Sequence, residues 1–205
     1  MAERRETAIA QRNLKRRRVL QACCGLALCS RAARGDETED AVAAPQAGDS
    51  LVFAYGDRAG QVIAPADVVL GAKQLLAYPK ASGTGRIRDG SRLNQLVVVR
   101  LSPDKLSAET RMRAADGVVA YSGVCTHTGC DVTDWYGDSL RFKCPCHESE
   151  FDPSDGARVV GGPAPWQLAA LPLKLVDGAL AVAGAFEGRV GFQPPGLDPF
   201  GAGPQ

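Results

Sequence analysis

Apolar residues along this chain fall in short runs, not in helical stripes. Residues 96–101 (LVVVRL) form a near-continuous β-branched stretch, which predicts a buried strand ended by Pro103. Residues 50–54 (SLVFA) and 118–122 (VVAYS) read as further strands, and 60–70 (GQVIAPADVVL) as one or two more, broken at Pro65. Residues 73–79 (KQLLAYP) carry a short helical spacing. Residues 81–90 (ASGTGRIRDG) predict a turn-rich loop, with Arg86 and Arg88 its most exposed charges. Downstream, 132–135 and 140–142 predict two short strands around the turn Tyr136-Gly137-Asp138. Glu150 and Phe151, then 157–160, continue the pattern on either side of the turn Pro153-Ser154-Asp155-Gly156. Residues 171–176 and 179–182 form a hairpin at Asp177-Gly178. The expected fold is all-β: an antiparallel β-sandwich with a small subdomain inserted between its strands.

Composition agrees, with 23 glycines and 13 prolines in 205 residues and few aromatics. The formal charge of +1 conceals an asymmetry. Residues 1–34 carry nine Lys/Arg against two Glu, whereas 35–205 carry fifteen against twenty-one acidic residues. An acidic body argues against nucleic-acid binding and suits docking to a basic partner.

The basic leader resembles a twin-arginine export signal: Lys15-Arg16-Arg17-Arg18-Val19-Leu20-Gln21, then an apolar run at 19–29. That run is shorter than the roughly 17–25 residues of a membrane span and has the length of a signal-peptide core. Ser30-Arg31-Ala32 offers a cleavage site, although related segments can be kept as anchors. The expected organisation is a signal or short anchor at 1–34, a linker at 35–48, a domain at 49–187 and a Gly/Pro-rich flexible tail at 188–205. Export places the protein in the periplasm or on the periplasmic face of the inner membrane.

The chemistry lies between residues 125 and 147, in CTHTGC and CPCH. Both histidines of the chain, His127 and His147, fall there, as do Cys125, Cys130, Cys144 and Cys146. Cys125-x-His127 and Cys144-x-x-His147 make a four-ligand metal site of two thiolates and two imidazoles. Such a set can hold zinc. Against zinc, each loop supplies one Cys and one His and carries a further cysteine. Gly129 and Pro145 also shape tight turns, which a cluster needs because its sulfides accept backbone N–H bonds.

These two loops resemble the cluster-binding loops of Rieske [2Fe–2S] proteins. The resemblance covers roughly residues 95–183, with the cluster-binding part at about 122–165, and implies a Rieske-type β fold. It implies that Cys125 and Cys144 ligate one iron, that His127 and His147 ligate the other, and that Cys130 and Cys146 form a disulfide. Two neutral imidazoles in place of thiolates make the cluster easier to reduce. Ser149 matches the serine that donates to a cluster sulfide. Phe151 stands where quinol-oxidising members carry a tyrosine, which implies a somewhat lower potential. Gly162, Pro163 and Pro165 resemble the loop that covers the cluster in Rieske subunits of quinol–cytochrome c reductase. Thr128 and Glu148 depart from that pattern, where a leucine and a glycine are usual.

With both histidines committed to the cluster, the sequence has none for an oxygenase's mononuclear iron or as a catalytic base. It has no dinucleotide fingerprint either. The implied role is single-electron transfer, with bond chemistry left to a partner. The resemblance implies a c-type cytochrome, with cytochrome b and quinol or a molybdopterin large subunit in the same complex. The alternatives are a quinol–cytochrome c reductase-like subunit, the small subunit of a molybdenum oxidoreductase of the arsenite oxidase type, or a free periplasmic carrier.

Overall fold

The computed structural model describes residues 38–192, so the leader and residues 193–205 lie outside the described residues. Seven strands form one antiparallel sheet: β1 (Ser50–Phe53), β2 (Leu75–Lys80), β3 (Leu96–Arg100), β4 (Val118–Ser122), β9 (Ala170–Leu171), β10 (Leu173–Val176) and β11 (Ala179–Val182). Their order is β10-β11-β1-β2-β3-β4-β9. Its two edge strands, β9 and β10, are successive pieces of one run separated by Pro172, so the sheet curls back on itself. Between β4 and β9 the chain builds a second sheet in sequential order: β5 (Asp134–Tyr136), β6 (Arg141–Lys143), β7 (Glu150–Asp152) and β8 (Arg158–Gly161).

The strand period explains how the two parts join. On β3 and β4, Leu96, Val98, Val118 and Ala120 face a core shared with Leu51, Leu171 and Leu180. Their neighbours Val97, Val99, Val119 and Tyr121 face a second core with Phe142, Phe151 and Leu168 of the insertion. Both faces of β3 are covered, which is why the run at 96–99 is continuously apolar. Tyr121 crosses to the insertion, where its hydroxyl donates to the Pro153 carbonyl at 2.8 Å.

Several expectations are corrected. Within residues 73–79, the stretch from Leu75 onward belongs to β2, held between β1 and β3. Residues 60–70 form no strand: Val62 and Leu70 make isolated bridges, and Pro65–Asp67 is a 3-10 turn whose Asp67 carboxylate accepts from the Ala64 N–H. A helix absent from the sequence reading, α1 (Ala108–Arg113), starts where the Ser107 hydroxyl accepts from Thr110 N. Arg88 is 2% exposed and bonds Asp49 through Nε at 2.7 Å. It also reaches Asp40, while Asn94 donates to the Ala43 carbonyl and Gly90 N to that of Ala41. Residues 40–48 are therefore bonded to the domain and do not act as a free linker. At the other end, Glu187 pairs with Ala170 and Gly191 packs on Val124 and Leu93, so 188–192 is also packed. Among the described residues, no helix is long and apolar enough to cross a membrane.

Candidate metal centre

Two loops meet at the end of the insertion, and their backbones are built alike. In the first, Cys125 N donates to the Cys130 carbonyl (2.8 Å) and Gly129 N to the Cys125 carbonyl (3.0 Å). In the second, Cys144 N donates to the Ser149 carbonyl (2.9 Å) and Glu148 N to the Cys144 carbonyl (3.0 Å). Each turn needs a left-handed residue at its fourth step. Gly129 takes it at φ 80°, where glycine meets no Cβ penalty, and Glu148 takes it at φ 61°.

These turns bring the predicted residues together. Cys125 and Cys144 are free thiols, both buried. The rings of His127 and His147 lie perpendicular with centroids 4.7 Å apart, His127 half-buried and His147 exposed. Cys130 and Cys146 form a disulfide joining the loops, with Cα atoms 6.5 Å apart. The sulfurs of Cys130, Cys144 and Cys146 lie within 4.8 Å of one another, so the disulfide sits against the Cys144 thiol.

The donor set fits an iron–sulfur cluster. His127 Nδ1 is buried with no hydrogen-bond partner, an arrangement that costs free energy unless something beyond the protein engages it. Burial pushes the Cys125 thiol up, and the neighbouring Cys144 adds to this; bonds from the His127 backbone and the Ser149 hydroxyl oppose it. Two buried thiols and two imidazoles carried on the paired turns, one imidazole with an orphaned nitrogen, supply a soft and electron-rich donor set.

Residues 83–172 match the family model described as the Rieske [2Fe-2S] domain. The chain carries a Rieske domain. Its cofactor is a Rieske-type [2Fe–2S] cluster. Bound, such a cluster takes up and returns one electron at a time. The chain is 41% identical over 98 residues to a cytochrome bc1 complex Rieske iron-sulfur subunit of Streptomyces lividans, which covers 47% of this chain and 58% of that protein. It is 42% identical over 107 residues to a putative respiratory nitrate reductase subunit Rieske of Haloferax mediterranei, covering 51% of this chain and 47% of that one. The chain thus spans about half the length of these relatives. A solved plasma-membrane Rieske protein of Synechocystis aligns with 54% of this chain and 85% of its own, at 23% identity and a TM-score of 0.35. A likeness of that size carries no weight for function.

Around the Rieske loops, the segment Gly162–Trp166 packs across the second loop. Ser149 is fully buried, and its hydroxyl accepts from Ala164 N at 3.1 Å. A Cβ on Gly162 would lie 2.5 Å from Ser149 Cα and 2.7 Å from Glu148 O, so no other residue fits there. Pro163 and Pro165 are exposed on the outer side. The same segment is tied to the first loop, where the Thr126 hydroxyl donates to the Trp166 carbonyl at 2.6 Å. Phe151 is buried in the core that includes Cys125, Cys144 and Phe142. Trp135 packs on Phe142 with ring centroids 5.6 Å apart.

Sequence reasoning missed one group here. Lys143 Nζ donates to Glu148 Oε1 (2.8 Å) and to the Tyr136 hydroxyl (2.6 Å). The bond to Glu148 and then that to Tyr136 hold the ammonium above its ordinary pKa, and Lys143 in turn lowers that of Glu148. The unusual residue Glu148 was visible in the sequence; its partner, five residues earlier on β6, was not.

Proposed function

We propose that this protein is an exported single-electron carrier whose cluster is ligated by Cys125 and Cys144 on one iron and His127 and His147 on the other. The observation that carries the ligand set is the buried, unpartnered Nδ1 of His127, on a ring whose centroid lies 4.7 Å from that of His147, in loops that also carry two free buried thiols. The chain's own residues hold the ligands with paired turns, lock them with the Cys130–Cys146 disulfide and leave the His147 edge open for a partner. An intact disulfide suits an oxidising compartment, and the twin-arginine-like leader suits delivery to the periplasm with the cluster already inserted.

The favoured assembly is a quinol–cytochrome c reductase-like complex, with a c-type cytochrome as acceptor. The similarity to the Streptomyces bc1 subunit supports this reading. A second reading, the Rieske subunit of a periplasmic molybdenum oxidoreductase, is favoured by the Haloferax relative and by Phe151 and Glu148. Tagging the protein at its C-terminus in its own host, at native level, tests both. Cytochromes b and c co-purifying from membranes would support the first, and a large molybdenum subunit the second. A coloured protein free of partners in the periplasmic fraction would overturn both and leave the free carrier.

A further inference from the structure

The acidic excess of the described chain is confined to the cluster-bearing insertion. Residues 123–169 carry seven Asp/Glu against three Lys/Arg, whereas the remaining described residues carry eleven against twelve. The three cations of the insertion are all committed: Arg141 to Glu150, Lys143 to Glu148, and Arg158 to Asp152 and Asp155. Asp134 and Asp138 have no cationic partner among the described residues.

The rim around the ligand loops is divided by charge. Beside the first loop, Arg92 donates to the Gly129 carbonyl and to Asp131, both at 2.7 Å, and the Arg189 guanidinium lies 4.9 Å over the Trp166 ring. Beside the second loop stands Glu148, adjacent to the exposed His147. Its side chain is 75% exposed, while that of its partner Lys143 is only 15% exposed. Glu148 is therefore the more exposed member of the pair and the one an approaching protein meets first. Lys143 holds its carboxylate in place, and Tyr136 braces Lys143 from β5.

We propose that the insertion is an acidic docking face for a cationic redox partner, a protein with lysine or arginine side chains around its own redox group, and that Glu148 is its forward contact beside His147. The proposal rests on the electron-carrier reading. Complementary charge of this kind steers encounter and fixes orientation, placing the partner on the His147 flank and away from Arg92 and Arg189.

The test uses the full-length, cluster-loaded protein. Reduced protein is mixed in stopped flow with tris(phenanthroline)cobalt(III), a cation, and separately with ferricyanide, an anion. In each case one electron leaves the protein and reduces cobalt(III) to cobalt(II) or iron(III) to iron(II). Ionic strength is raised from about 10 mM to about 150 mM, which shortens the Debye length from roughly 30 Å to about 8 Å. The expected result is a rate that falls with salt for the cobalt complex and rises for ferricyanide. Glu148→Gln should shrink the cation-to-anion rate ratio at low salt by about 2–5-fold. Asp177→Asn removes the same charge at the β10–β11 turn, outside the insertion, and should leave the ratio unchanged.

Calorimetric binding of a lysine-rich c-type cytochrome gives a readout independent of electron transfer, with affinity lost at high salt and reduced in Glu148→Gln. Equal effects of the two substitutions, or a preference for the anion, would overturn the docking face. A protein that undergoes no reversible reduction at all would instead overturn the carrier reading on which the proposal rests.

Discussion

Gly162→Ala offers the sharpest test of how the covering segment is held on the second ligand loop. The added Cβ would lie 2.5 Å from Ser149 Cα, 2.7 Å from Glu148 O and 2.7 Å from Ser149 N. All three are backbone atoms, so no side chain can swing away. Carbon contacts sit at about 3.5–4.0 Å, so the segment must retreat by roughly 1 Å. That retreat breaks the 3.1 Å bond from Ala164 N to the Ser149 hydroxyl and strands two buried groups. Leaving them unpaired costs about 1–3 kcal/mol, and alanine at φ +78° adds about 1–2 kcal/mol. The expected loss is roughly 2–5 kcal/mol, a large part of a typical domain's stability.

Gly178 is the internal control, because it has the same φ of +78° and nothing within 4 Å of its missing Cβ. Gly178→Ala should cost only the backbone part. Urea unfolding of both variants, followed by tryptophan fluorescence and by the cluster's visible absorbance, measures the difference. Gly162→Ala should also lose its cluster faster than Gly178→Ala when challenged with a chelator. Equal midpoints for the two alanines would refute the packing argument.

Arg88→Met should destabilise by about 3–5 kcal/mol, because it strands the buried Asp49 carboxylate, while the double variant with Asp49→Leu should recover most of the loss. Denaturant midpoints decide it, and a double variant no better than the single would count against a buried pair. Burial raises the Tyr78 phenol from 10.0 to about 12. The folded state therefore holds that proton more tightly than the unfolded chain. This contribution is intact below about pH 10 and is lost as pH climbs toward 12. Tyr78→Phe should flatten that alkaline limb in part, since burial shifts Tyr121 in the same direction; an unchanged slope of stability against pH contradicts the assignment. Phe151→Tyr should raise the reduction potential by adding a hydroxyl donor toward the cluster, and voltammetry showing no change would remove Phe151 from the tuning residues.

What was legible in the sequence was what is local. The ligand loops are short, and each makes its turn with its own backbone, so the residues from Cys125 to Ser149 announce the site without knowledge of the fold. The Asp177-Gly178 hairpin and the run at 96–101 were equally plain. Strand β2 was not, because Leu75, Leu76 and Tyr78 satisfy a helical spacing, and only pairing with β1 and β3 makes the segment extended. Arg88 was misread as exposed because its partner Asp49 lies 39 residues earlier. The apolar residues at 60–70 suggested strands, but Val69 and Leu70 are exposed and only single bridges form. Likewise, the bond from Thr126 to Trp166 joins positions 40 residues apart, which no local pattern reveals.

On the proposed reading, two thiolates and two imidazoles of this chain hold a one-electron centre. Pulsed electron paramagnetic resonance of the reduced full-length protein tests this most directly. Couplings from two imidazole nitrogens are expected, one of them lost in His127→Cys and the other in His147→Cys. A reduced centre with no imidazole coupling, or a colourless protein that binds zinc in place of iron, would contradict that reading.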